Sequence, residues 1–68
     1  MGYMFPKLAK TLKALRKERR WSQPVLAKKA GVSAGYLARL ERSRHDPRLS
    51  TLIKLAKALG VDVAALLR

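Results

Sequence analysis

Gly31 stands between two short helical patterns, and its placement constrains the fold more than any other residue. The stretch from 22 to 42 reads S-Q-x-x-L-A-x-x-A-G-V-S-x-x-x-L-x-R-L-E-R. Ser22 offers a hydroxyl to cap a helix, and Pro24 fits the first turn, where a missing N–H is not needed. Leu26, Ala27 and Ala30 supply the inner face, and Gly31 gives the left-handed residue that ends a helix without a Cβ penalty. Ser33 repeats the cap for the next helix. That helix places Leu37 and Leu40 inward and leaves Ala34, Gly35, Ala38, Arg39 and Arg42 outward. Two helices joined by so short a turn cross at a steep angle, which presents the second one as a protruding edge.

The remaining punctuation predicts three more helices. Pro6 suits a first helical position, and Leu8, Leu12 and Leu15 recur at i, i+4, i+7 with Lys7, Lys10, Lys13 and Lys17 on the other side, which predicts a helix over about 6 to 19. The segment from Ser43 to Leu49, with Asp46-Pro47, reads as a loop. Ser50 or Thr51 is expected to start a fourth helix carrying Leu52, Leu55, Ala56 and Leu59, with Gly60 ending it. Asp62 is expected to cap a last short helix with Val63, Leu66 and Leu67, a short apolar end open to pairing with a second copy. No strand pattern, repeat or linker interrupts this. The expectation is an all-α, five-helix single domain over 1–68, with 1–5 flexible, around one leucine-rich core of modest size.

Charge narrows the function. Sixteen Lys and Arg against four acids give a formal net charge of +12, an attraction for polyanions and above all for phosphate. Cysteine is absent, so disulfides and thiolate metal sites are excluded, as suits a reducing cytoplasm. No apolar run approaches the roughly 18 residues of a membrane span. His45 is the one side chain that titrates near neutrality, with no second catalytic group beside it in sequence, and four scattered acids make no metal cluster. The expectation is a binding domain without reaction, metal or cofactor. A membrane-surface helix over 6 to 20 is the weaker alternative, because a folded core claims Leu8, Leu12 and Leu15.

Taken with Pro47 and the segment L-x-T-L-x-K-L-A-x-A-L-G-V at 49 to 61, the block from 22 to 42 resembles the phage-repressor and Cro-like helix-turn-helix regulators, the lambda-repressor-like (XRE-type) family. The resemblance covers roughly residues 8 to 67. It implies a recognition helix over about 33 to 42 that enters the major groove of operator DNA, frequently in a dimer on a palindromic site. It also implies particular roles. Gln23 touches a phosphate and buttresses the reading helix, and Ser33 caps that helix and reaches a phosphate. Ala34, Gly35, Tyr36 and Arg39 fall on the base-facing side. Here the chain departs from many relatives, which carry long polar residues at the first two positions; alanine touches only a thymine methyl, and glycine reads nothing. Tyr36 lies along the groove or packs half-buried. Arg39 carries the planar fork that pairs with guanine O6 and N7.

Arg42, Arg44 and Arg48 follow where members of that family contact the DNA backbone, Arg48 with a reach into the minor groove. Ser43 replaces the glycine usual after this helix. Arg16 and Glu41 match an internal ion pair, which accounts for an acid on an otherwise basic helix. Trp21 stands where relatives carry leucine and is expected to anchor the core or its rim. The alternative to DNA binding is an antitoxin-like or other protein-interaction module on the same fold, and the short chain fits a natural regulator as well as a designed or excised binder.

Overall fold

The computed structural model of the chain describes Phe5 and residues 7–42 and 46–68. Among these are α1 (Leu8–Glu18), α2 (Gln23–Ala30), α3 (Ala34–Leu40), α4 (Leu49–Leu59) and α5 (Val63–Leu67), with no strand. The all-α, five-helix expectation holds. Leu12, Leu26, Leu37, Leu40, Leu52, Leu55 and Leu66 are fully buried, so every helix contributes at least one leucine to a single core. Each such side chain stabilises the fold by about 1.5 to 3 kcal/mol relative to exposure. α2 packs on both α3 and α4, and α5 packs on α4 and α1, so the chain closes on itself.

The two serine caps form as expected. Ser22 Oγ accepts the Val25 N–H at 3.3 Å and Ser33 Oγ accepts the Tyr36 N–H at 3.0 Å. At Gly31, φ is 74°, and the Gly31 and Val32 N–H groups donate back to the carbonyls of Lys28 and Ala27. Those bonds satisfy carbonyls that the end of α2 would otherwise leave open. Gly60, at φ 72°, ends α4 in the same way.

The helix ends differ from expectation at four places. α3, expected over about 33 to 42, stops at Leu40, with Glu41 at the cap position and Arg42 in the turn after it, its N–H on Arg39 O. α1 begins at Leu8 rather than 6, because the Leu8 N–H already bonds Phe5 O and Lys7 takes the cap position; it ends at Glu18. Pro6, expected at the first helical position, lies outside the described residues, as do 1–4. α4 begins at Leu49, before either Ser50 or Thr51: the extended Arg48 offers its carbonyl to the Thr51 and Leu52 N–H groups, and the buried Pro47 fixes the chain just ahead of it. Asp62 holds the cap position of α5 but makes no side-chain cap bond; its carbonyl takes the Ala65 N–H.

The end of α1 repeats the Gly31 arrangement without a glycine. Arg20 N–H donates to Lys17 O at 2.9 Å and Trp21 N–H to Arg16 O at 3.2 Å, with Arg20 at φ 58°. A side chain at that φ costs roughly 1 to 2 kcal/mol, partly offset by the greater freedom a glycine has in the unfolded chain. Arg20→Gly should therefore stabilise the domain by about 0.5 to 1 kcal/mol in urea unfolding. A lower midpoint in the variant would show that the Arg20 side chain holds the corner through some other contact.

Leu66 is wholly buried in the domain's own core, and Val63 and Leu67 are half-buried against it. The apolar end expected to pair weakly with a second copy is thus partly covered by the domain itself, because α5 packs onto α1 and α4.

Candidate nucleic-acid interface

The position of α3 is set at both of its ends. At its start the Ser33 cap fixes the first turn. At its end Glu41 is gripped by three donors: Arg16 Nε at 2.8 Å, Arg16 Nη2 at 2.9 Å and Gln23 Nε2 at 3.0 Å. The remaining Arg16 donor, Nη1, reaches the Trp21 carbonyl at 2.8 Å, tying the pair to the corner between α1 and α2. The Arg16 and Glu41 side chains are 10% and 3% exposed, so this is an internal ion pair in fork geometry. Burial pushes the Glu41 carboxyl up, but the hydrogen bonds from Arg16 and Gln23, with the charges of Arg16 and Lys13, outweigh it and hold the carboxyl below its ordinary value. The bond to Glu41 raises the Arg16 guanidinium against the opposing effect of burial.

With its ends fixed, α3 turns a narrow stripe outward. Gly35 and Arg39, one turn apart on α3, are exposed, and so is Arg42 in the turn that follows the helix. Ala34 and Ala38, expected to point outward, are half-buried, because they lie one turn apart on the ridge beside the buried Leu37. Ala34 packs against the core, so its methyl sits at the edge of the stripe rather than on it. Tyr36 is half-buried against the core as well, and the Arg39 guanidinium lies over its ring at 5.8 Å.

Gln23 opens α2 beside the far end of α3, where its amide spends one N–H on Glu41. Ser33 accepts the capping bond and keeps its O–H as a donor. Arg48, at the cap position of α4, is exposed and makes no side-chain cap bond. Arg44 lies outside the described residues, as do Ser43 and His45. Among the described residues no group of His, Asp and Glu stands ready to hold a metal, and no helix is long and apolar enough to cross a membrane.

Two features escaped the sequence reading. Lys13 is the lysine of the α1 stripe whose charge acts on the Glu41 carboxyl at the end of α3. Its spacing gave no signal, since Lys7, Lys10 and Lys17 share the same exposed side. The Trp21 carbonyl as third anchor of Arg16 is a backbone group that no residue pattern marks. Trp21 itself meets its expectation: it packs half-buried against the core, with Lys29 Nζ 4.9 Å and Arg19 5.9 Å from its ring centroid.

Two helices turned at a left-handed glycine, the second locked at both ends and basic along its open stripe, define a helix-turn-helix domain. Residues 12–66 match the helix-turn-helix family HTH_3, and the chain belongs to it. It is 53% identical over 55 residues to the immunity repressor protein of Bacillus phage phi105, covering 81% of this chain and 38% of the repressor. The chain thus spans well under half the length of that relative, and 30% of the Escherichia coli transcriptional regulator SutR, to which it is 44% identical over 54 residues. Among solved structures, the hypothetical transcription factor NHTF from Neisseria superposes with a TM-score of 0.88 at 36% identity, over 94% of this chain and 72% of that one. The biofilm regulator SinR, solved in complex with DNA, superposes with a TM-score of 0.85 at 37% identity, over 90% and 98%.

Proposed function

We propose that this domain binds double-stranded DNA in a sequence-specific manner, with α3 in the major groove, and so regulates transcription. The observation that carries the reading is the exposed Gly35 and Arg39 on a helix whose two ends are held by Ser33 and by Arg16, Glu41 and Gln23, with the exposed Arg42 in the turn just beyond it. A reading helix must hold its angle while its outer face meets bases, and this one is braced by groups that do not lie on that face. The phage phi105 and Escherichia coli relatives carry repressor and transcriptional regulator in their names, which supports the same reading.

In this reading Arg39 grips a guanine edge, and Gly35 lets the backbone approach the groove floor. Ala34 adds at most a methyl contact from the margin. Arg42, Arg48 and Lys13 neutralise phosphates, Arg44 joins them on the strength of the resemblance, and the free N–H of Gln23 and the O–H of Ser33 donate to phosphate oxygens. The action belongs to the cytoplasm and needs no cofactor, metal or catalysed reaction. Pairing of two copies through α5 has only the half-buried Val63 and Leu67 to offer, so any dimer is weak in solution and forms on DNA, with half-sites about one helical turn apart.

Selection from a random duplex library tests the reading and its symmetry together. The expected result is an enriched motif containing at least one guanine, with an inverted copy about 10 base pairs away if two domains pair on the site. A library that returns no motif, together with retention of a protein partner by the same domain, would replace this reading with the protein-interaction module.

A further inference from the structure

Arg39 and Tyr36 stand at i and i−3 on α3, which brings their side chains together on the helix surface. The guanidinium carbon lies 5.8 Å from the centroid of the tyrosine ring. The ring is held in place from below: it packs half-buried against the core, and the Tyr36 backbone N–H is tied to Ser33 Oγ at 3.0 Å. On the other flank of Arg39, one turn back, Gly35 contributes no side chain, and a Cβ placed there would meet nothing within 4 Å. Among the described residues the Arg39 guanidinium makes no hydrogen bond or ion pair, so the Tyr36 ring is its support.

We propose that Tyr36 is a positioning residue for Arg39: its anchored ring holds the guanidinium in the orientation that meets a guanine edge, while the bare Gly35 flank leaves the fork open to the base. This rests on the reading of Arg39 as the base contact and adds to it a determinant that itself touches no base. An exposed arginine loses most of its rotamer freedom when it grips a base, and one already resting on a fixed ring has less to lose. The attraction of a guanidinium to an aromatic face at an exposed site corresponds to about a 2- to 5-fold effect on an equilibrium. The ring therefore sharpens discrimination at one base pair without adding to the general attraction for DNA.

The test measures binding to a library-selected duplex and all its single-base substitutions for the parent, Tyr36→Leu, Tyr36→Phe, Arg39→Ala and the Tyr36→Leu, Arg39→Ala double variant. Leucine keeps the apolar packing and removes the ring; phenylalanine keeps the ring and removes the hydroxyl. Tyr36→Leu should lose about 2- to 5-fold of the guanine preference at the one base pair where Arg39→Ala loses it, and Tyr36→Phe should retain that preference. In the Arg39→Ala background, Tyr36→Leu should change nothing further at that pair. In the free protein, 15N relaxation at Arg39 Nε should report a restricted side chain in the parent and Tyr36→Phe and a mobile one in Tyr36→Leu. The inference is overturned if Tyr36→Leu weakens all sequences alike, if Tyr36→Phe behaves like Tyr36→Leu, or if the Arg39 side chain is already mobile in the parent, a result that does not depend on any variant folding. Should Arg39→Ala itself leave every preference intact, it is the base-contact reading that fails.

Discussion

Glu41→Ala is expected to destabilise the domain by about 3 to 5 kcal/mol, because it leaves the Arg16 guanidinium buried without its carboxylate partner. Arg16 would keep its bond to the Trp21 carbonyl and lose both bonds to Glu41, and Gln23 would lose its acceptor. A small domain has roughly 5 to 15 kcal/mol in total, so the variant should be partly unfolded well below the melting point of the parent. Arg16→Ala should behave alike, stranding the carboxylate instead. Replacing both residues, as in Arg16→Met with Glu41→Leu, should recover much of the loss, since apolar groups of similar volume leave no orphaned charge. Urea unfolding of the three variants measures this. A Glu41→Ala protein that melts with the parent would mean that solvent, not Arg16, satisfies the carboxylate.

The same pair sets a pH dependence of definite sign. The Glu41 carboxyl is held below its ordinary value in the folded protein, so the unfolded chain binds the proton more readily. Its stabilising contribution is fully present above the unfolded value of about 4.3 and is lost as pH falls through the lower folded value. Stability of the parent should drop more steeply below about pH 4 than that of Glu41→Gln, which carries no titrating group there.

Salt should act on DNA binding with comparable force. If basic residues neutralise about four to seven phosphates, the logarithm of affinity falls against the logarithm of salt with a slope of roughly −4 to −6. Between 50 and 200 mM salt that is a loss of roughly 10²- to 10⁴-fold in affinity. Arg42→Ala, Arg48→Ala and Lys13→Ala should each flatten the slope by about one, while Arg20→Gly, which removes a charge from the corner between α1 and α2, tests whether that region joins the contact. Titration of a labelled duplex at several salt concentrations reads the slope directly. A slope near zero would separate the net charge of +12 from any role in holding DNA.

Ser22, Ser33, Gly31 and Gly60 were legible as helix ends because each acts through its own side chain or lack of one, within a turn of where it stands. The starts of α1 and α4 were not, since both are set by backbone carbonyls, Phe5 O for one and Arg48 O for the other. Arg20 was hidden for a related reason: it accepts a left-handed conformation imposed by the corner, against its own preference. The pairing of Arg16 with Glu41 came from the resemblance, and nothing in the spacing of two residues 25 apart could have supplied it. In the interface, the 3.6-residue period placed Ala34, Gly35, Ala38, Arg39 and Arg42 outward, but it could not say how far the neighbouring helices rise around α3. That height decided that Ala34 and Ala38 are half-buried and chose the half-buried one of the two readings of Tyr36, and it became visible only with the packing of α2 and the core.

The claim that α3 reads bases through its exposed stripe is tested most directly by comparing Arg39→Ala with Arg42→Ala across every single-base substitution of a selected site. Base and backbone contacts fail differently. Arg39→Ala should lose about 1 to 3 kcal/mol on the preferred duplex and relax the preference at a single base pair, while Arg42→Ala weakens all the duplexes by a similar factor and keeps their ranking. If Arg39→Ala lowers affinity uniformly and leaves every preference in place, α3 does not read bases through this face.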